Sequence, residues 1–170
     1  MASDSMHALL SVTLAGCFVR GTSVTESGLT VSTNTLPGEI ILFFKTDSNT
    51  GRECLGITGE NLKACDCLVL YAKENNRAEI ACFLELKGKK LEVAVKQVIN
   101  TFRHAKMLIE KEVEREQHPY ITWKVCICMQ GQAPRNEQKS RDELKDIFGP
   151  HVRIKHGVKH YKELGSFFRG

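Results

Sequence analysis

The spacing of hydrophobic positions changes several times along the chain, and each change marks an element. Ala8 to Val19 is apolar, with Met6, Leu10, Leu14 and either Cys17 or Phe18 on one side. That spacing predicts an amphipathic first helix capped by Ser3, Asp4 or Ser5. Gly21 to Gly38, rich in serine, threonine and glycine, reads as loop or irregular edge. Ile40-Ile41-Leu42-Phe43-Phe44 then reads as a buried strand ended by polar turn residues, Asp47 to Gly51. Two more strand-like runs follow, Cys65 to Ala72 and Ala78 to Lys87, separated by Lys73-Glu74-Asn75-Asn76-Arg77. Asparagine tolerates positive φ, so Asn75-Asn76 suits a two-residue hairpin turn.

From Leu91 to Gln117 there is no glycine or proline, and Val95, Val98, Ile99, Phe102, Ala105, Ile109 and Val113 recur at helical spacing until Pro119 stops the run. Tyr120 to Gln130 returns to period two, with Ile121, Trp123, Val125, Ile127 and Met129 on one face. Gly131 to Ser140 is polar and turn-rich. Arg141 to Phe148 suits a short helix, Val152-Arg153-Ile154 a short strand, and the tail ends helical. The order α-β-β-β-α-β, then mixed, describes one α/β domain over residues 1–170: a mixed sheet with a β-hairpin, flanked by helices, and a long helix crossing to a further strand.

Composition narrows the class. With 42% hydrophobic and 26% charged residues in 170, the chain has the make-up of a folded domain, which excludes collagen-like, disordered and disulfide-scaffold readings. The net charge of +4 resides entirely in residues 151–170, where Arg153, Lys155, Lys159, Lys162 and Arg169 face the single acid Glu163. A neutral body with a basic end that also carries His151, His156 and His160 fits contact with a polyanion as well as a solvated surface. Arg153, Lys155, Lys159 and Lys162 are the candidate nucleic-acid contacts.

Seven cysteines, an odd number placed mostly in apolar runs, point to reduced, buried thiols and a cytoplasmic location. Cys65-Asp66-Cys67 and Cys126-Ile127-Cys128 lack the two-residue spacer of zinc knuckles and read as structural. Leu14-Ala15-Gly16-Cys17 resembles a lipoprotein box, which would make a lipid-anchored protein. Against it, Met1 to His7 carries Asp4 and no lysine or arginine, and the apolar run is too short to span a bilayer. No membrane association is expected.

A turn at Asn75-Asn76 sets Glu74 opposite Arg77 and, further along the ladder, Asp66 opposite Glu85. Facing side chains share one side with Cβ atoms about 4.5–5.5 Å apart, and like charges there repel. A hard divalent cation with oxygen ligands would offset the repulsion. Lys87, two residues beyond Glu85, turns its ammonium to the same side, while Leu84 and Leu86, like Cys65 and Cys67, point to the other side and toward the core. At about 100° per residue, Gln97, Thr101 and His104 lie together beside the apolar stripe of the long helix, with Gln97 at the edge facing the strand that ends at Lys87.

Asp66, then Phe83-Leu84-Glu85-Leu86-Lys87-Gly88, then Gln97 within the following helix, resemble the PD-(D/E)XK nuclease superfamily. The resemblance runs over about residues 40 to 130 in element order, with Cys65 where that pattern often has proline. It implies a restriction-endonuclease-like core and a Mg²⁺- or Mn²⁺-dependent phosphodiester hydrolase acting on DNA or, second, RNA. Asp66, Glu85 and the Leu86 carbonyl would hold the metal, and Asp66, Glu85, Lys87 and Gln97 would be catalytic. Such nucleases often add a first-helix glutamate, for which Glu26, Glu39, Glu53 and Glu60 are the candidates. A non-catalytic nucleic-acid-binding or assembly module of the same fold is the alternative. The chain is small for a nuclease that also selects its target, so a homodimer or a partner subunit is expected.

Overall fold

The first helix, α1, spans Met6–Thr13, and a 3-10 turn over Ala15–Cys17 leads to the two-residue strand β1, Phe18–Val19. The computed structural model describes residues 6–60, 62–74, 79–87, 90–112 and 121–170. Leu10, Leu14 and Cys17 are buried and Phe18 is exposed, so the first helix and its turn direct the thiol inward; the Cys17 Sγ–H donates to the Leu14 carbonyl at 3.2 Å. The candidate caps at residues 3–5 lie outside the described residues.

The Ser/Thr/Gly-rich stretch expected to be loop or irregular edge contains a regular hairpin: β2 (Ser23–Glu26) and β3 (Leu29–Ser32) pair antiparallel around Ser27 and Gly28, both at positive φ. Its burial alternates, with Val24, Leu29 and Val31 inside. β4 (Glu39–Lys45) follows as expected, but the polar segment after it is more than a turn. Ser48 caps a short helix, α2 (Asn49–Cys54), its Oγ accepting from the Gly51 N–H at 3.0 Å.

β5 (Cys67–Lys73) and β6 (Glu79–Lys87) are antiparallel in the expected register, Cys67 facing Leu84 and Leu68 facing Phe83. The Asn75-Asn76 turn lies outside the described residues. α3 (Leu91–Glu112) then crosses to β7 (Ile121–Met129), which is parallel to β6. α4 (Glu137–Phe148), which starts four residues before the expected Arg141, crosses to β8 (Val152–Lys155), parallel to β7. Val113 and Pro119, the expected end of the long helix, are outside the described residues. β9 (His160–Tyr161) and α5 (Leu164–Arg169) complete the chain.

The result is a six-stranded mixed sheet in the order β1-β4-β5-β6-β7-β8, with a second, three-stranded sheet in the order β2-β3-β9. α1, α3 and α4 cover one face. There Phe83 meets Trp123 at 5.7 Å and Phe102 edge-on at 5.9 Å between ring centroids, while Phe102 and Phe148 approach to 5.0 Å. Such pairs add about 0.5–1.5 kcal/mol each beyond their burial. The small sheet and α5 cover the other face, over Phe43, Val69, Cys82, Leu84, Leu86, Cys126 and Cys128. Both faces of β5 and β6 are therefore packed, unlike the half-solvated strand that an E-x-K pattern alone would suggest.

α5 is fixed by its last charged residue. The Arg169 guanidinium donates to both carboxylate oxygens of Glu39, at 2.8 and 2.9 Å, and the Tyr71 hydroxyl donates to Glu39 Oε1 at 2.9 Å. The Arg169 bonds come first among the causes that lower the Glu39 carboxyl to about 2, well under the usual carboxylate range.

Candidate active site

Asp66 stands one residue before β5 begins, and four tethers fix the backbone around it. The Thr46 N–H donates to the Asp66 carbonyl at 3.1 Å, and the Thr46 hydroxyl donates to the Cys65 carbonyl at 2.6 Å. From α3, the Thr101 hydroxyl accepts from the Cys65 N–H at 2.8 Å, and Gln97 Nε2 donates to the Ala64 carbonyl at 2.9 Å. Gln97 and Thr101 are one helical turn apart, so one face of α3 grips two successive residues of an otherwise irregular segment. Thr101 also donates to the Gln97 carbonyl at 2.7 Å. Held this way, Cys65 packs on the α3 side with Leu68 and Phe83, whereas Cys67 packs under the small sheet. The expectation that both cysteines point away from the acids is corrected for Cys65: the chain before Cys67 is not extended, so strand alternation does not apply to it.

Asp66 and Glu85 converge. The Asp66 N–H donates to Glu85 Oε2 at 3.0 Å, and the Leu86 N–H donates to Asp66 Oδ2 at 2.7 Å, so each carboxylate is bonded to the other's strand. The Lys87 ammonium lies 2.8 Å from Glu85 Oε1 as an ion pair. The expected trio of Asp66, Glu85 and Lys87 thus meets at one end of the sheet. Its setting is more enclosed than expected: Glu85 is fully buried and Asp66 is 5% exposed, leaving Lys87, at 26%, as the side chain of the trio that reaches solvent.

Burial sets the electrostatics. It is the first cause raising the Asp66 carboxyl, partly offset by the Leu86 N–H and then raised further by the charge of Asp47. Burial, then the Asp66 charge, raises Glu85, with Lys87 opposing. The two titrate as a unit, and both are shifted toward the protonated form.

Asp47 is a further acid at the site, which the sequence reading took for a turn residue. It follows the end of β4, its half-buried carboxyl lies beside that of Asp66, and its Oδ1 has no hydrogen-bond partner. Burial raises its carboxyl as well, with the Lys45 charge opposing. Of the four glutamates considered for a first-helix acid, none is in α1. Glu26, on β2, is near enough for its charge to act on Asp66 and Asp47, and it pairs with Lys45 at 3.3 Å. Glu39 is committed to Arg169. α2 supports the Asp47 position from below: a Cβ on Gly51 would sit 2.4 Å from the Lys45 carbonyl oxygen and 2.8 Å from Thr46 Cα. Gly51→Ala is expected to lower stability by about 1–3 kcal/mol through this overpacking, read as a fall in melting temperature; an unchanged value would mean α2 does not bear on this segment.

The basic residues are divided. Arg153 lies over the Phe167 ring at 4.4 Å and donates to the Tyr161 hydroxyl at 3.1 Å, so it serves the packing of β9 and α5. Lys155 is 4.0 Å from Glu163, and Lys159 and Lys162 are exposed. Gly157 and Val158 donate to the carbonyls of Gly131 and Met129, and Gln130 donates to that of Lys87. The 155–159 stretch is therefore at the same end of the sheet as Lys87. His104 is half-buried and lines a different hollow with Glu53 and Met107.

Among the described residues no three or more His, Cys, Asp or Glu side chains are grouped so as to hold a metal ion together. The donor set still suits one kind of ion. Mg²⁺ is commonly held by one or two carboxylates with the remaining positions taken by waters and substrate phosphate. Asp66 and Glu85 supply the carboxylates. No known protein-family model, curated protein or solved structure matches this chain.

Proposed function

We propose that this chain is a metal-dependent nuclease with a restriction-endonuclease-like core, hydrolysing phosphodiester bonds, most readily in DNA. The observation that carries the reading is the convergence of two buried carboxylates with a lysine ammonium at the end of a sheet. Buried like charges are costly, and an arrangement that holds them together, each bonded to the other's strand, is the kind found where function requires it. The order of the core elements, three antiparallel strands, a crossover helix and a parallel strand, supports the same reading.

Asp66, Glu85 and the Leu86 carbonyl would hold Mg²⁺ or Mn²⁺, two carboxylates that leave the remaining positions to waters and the substrate phosphate. The ion supplies Lewis-acid polarisation of the phosphate and acidification of water. Lys87 positions the attacking water and neutralises charge developing on the phosphate. Gln97 acts through the backbone it holds, keeping Ala64, and through it Asp66, in place. Lys159, exposed near this end, and Lys162, exposed three residues on, would draw in the polyanion. A cytoplasmic location belongs to the same reading and rests on seven unpaired thiols. Among the described residues no helix is long and apolar enough to cross a membrane. A homodimer or partner subunit would supply target choice.

The test is incubation with supercoiled and linear duplex DNA and with single-stranded RNA, in Mg²⁺, Mn²⁺ or EDTA. Cleavage is expected with metal, none in EDTA, and a loss of at least about 100-fold in Asp66→Asn. The enclosure of Glu85 favours one other reading, a nucleic-acid-binding module that keeps the fold without cleaving. Salt-dependent duplex binding with no cleavage of any substrate would establish that module and end the nuclease reading.

A further inference from the structure

A cleft of about 400 Å³ opens on the outer side of Gln97, between α3, α4 and the segment that leads to Asp66. Its size is at the small end of ordinary ligand sites and suits one nucleotide. Three cations, Lys63, Lys96 and Arg103, stand around it against one acid, Glu143. Leu62 and Val93, 44% and 38% exposed, form an apolar wall that nothing in the chain covers among the described residues. Asn100 Nδ2 donates to the Lys63 carbonyl at 3.1 Å and fixes that side of the opening to α3.

Gln97 joins the cleft to the carboxylates. The side chain is 7% exposed, its Nε2 is used on the Ala64 carbonyl, and its Oε1 is buried with no partner. That oxygen is closed off from the cleft as well as from water, so the Gln97 amide anchors the cleft's inner wall to the Ala64 backbone and leaves ligand contact to the other lining residues. A bare phosphate brings negative charge but no such apolar face. A nucleotide brings both features the cleft asks for: a phosphate for the cations and a flat apolar face for Leu62 and Val93.

We propose that this cleft seats the nucleotide flanking the scissile phosphate, its base against Leu62 and Val93 and its phosphate on Lys96 and Arg103. The proposal rests on the nuclease reading for its register and deepens it by assigning a substrate subsite. Gln97 lines the cleft and also holds the Ala64 carbonyl two residues before Asp66, which ties the cleft's inner wall to the segment that carries the first carboxylate.

The experiment uses the full chain carrying Asp66→Asn, so that the probe survives, and a fluorescent ten-nucleotide single-stranded DNA of mixed sequence beside an abasic chain of equal length. Anisotropy titration is expected to show the base-bearing probe bound at least tenfold more tightly than the abasic one. Leu62→Ser with Val93→Ser should erase that difference, and Lys96→Glu with Arg103→Glu should weaken both probes by tenfold or more. In the chain without Asp66→Asn, the charge-reversal pair should raise KM for cleavage with kcat little changed. Equal affinity for the two probes would reduce the cleft to a phosphate contact and overturn the proposal. So would an unaltered KM in the charge-reversal pair, which leaves the nuclease reading standing. Absence of all cleavage, with tight base-dependent binding retained, would end the nuclease reading and with it the assigned register. An acidic peptide that displaces the DNA probe from the unsubstituted cleft more strongly than unlabelled DNA would assign the cleft to a protein partner instead.

Discussion

Lys87→Ala is expected to reduce metal-dependent hydrolysis by about 100- to 1000-fold, the loss found when a single stabiliser of developing charge is removed from an active site, while leaving metal binding intact. The two effects separate because Lys87 is not an oxygen ligand. Its ammonium, 2.8 Å from Glu85 Oε1, is a competitor for the oxygens a cation would take. Removing it leaves Asp66, Glu85 and Asp47 in place and removes a positive charge from the neighbourhood of the ion. The rise in melting temperature on adding Mg²⁺ should therefore be as large in Lys87→Ala as in the unsubstituted chain, or larger. Asp66→Asn should lose both cleavage and the Mg²⁺ response.

The alanine variant has a cost of its own. Glu85 is fully buried and loses its cation, so its carboxyl moves further toward the protonated form, and the fold is weakened most at alkaline pH. Activity is best compared at temperatures well below melting, with Lys87→Arg as the companion that retains the charge. Undiminished cleavage by Lys87→Ala would remove the lysine from the mechanism. Loss of the Mg²⁺ response together with cleavage would assign it a structural role.

The register that joins Asp66 to Glu85 was legible because a two-residue turn leaves no freedom in pairing: once Asn75-Asn76 is chosen, every facing pair down to Cys67 and Leu84 follows. The long amphipathic helix was legible from period alone. Asp47 was not, because an aspartate after a strand is most often a turn residue; its place beside Asp66 depends on Thr46 bonding across to the Asp66 carbonyl. The β2–β3 hairpin had a usable signal in Ser27-Gly28, outweighed by the polar composition around it. The enclosure of the acids could not be read from one strand. It arises because the small sheet and three helices cover both faces of β5 and β6, and those covers come from residues distant in sequence.

That enclosure leads to the second large effect. Glu85→Gln is expected to raise the stability of the metal-free protein at pH 8 by on the order of 2 kcal/mol, since each unit by which burial and Asp66 lift the carboxyl corresponds to about 1.4 kcal/mol. Below about pH 4 the glutamic acid is protonated in both folded and unfolded chains and contributes no difference. As pH rises, the unfolded chain ionises first while the folded one retains the proton, so stability falls until the raised folded value is passed. The gain from glutamine is thus small near pH 5 and greatest at pH 8, where about 2 kcal/mol corresponds to roughly 4–8 °C in melting temperature for a chain of this size. The amide keeps an oxygen for the Asp66 N–H, and its nitrogen takes the place of Oε1, which faces Lys87. Lys87, partly exposed, turns to water.

The other groups facing Glu85 leave the sign unchanged. Asp66 adds negative charge directly and Lys87 opposes it; Asp47 and Glu26 act on Asp66, Lys45 acts on Asp47, and burial keeps the Cys65 thiol neutral by raising it. Glu39, the carboxylate shifted the opposite way, stabilises the fold above its unfolded value and loses that contribution only as pH falls toward about 2, outside the range compared. Adding Mg²⁺ should invert the order, stabilising the unsubstituted chain and not Glu85→Gln, because the ion relieves the repulsion that the amide removes. Thermal melts of both proteins at pH 5 and pH 8, with Mg²⁺ and with EDTA, read all four values. A metal-free Glu85→Gln that melts below the unsubstituted chain at pH 8 would mean that Lys87 already balances the pair, and that no electrostatic strain is stored there for a cation to relieve.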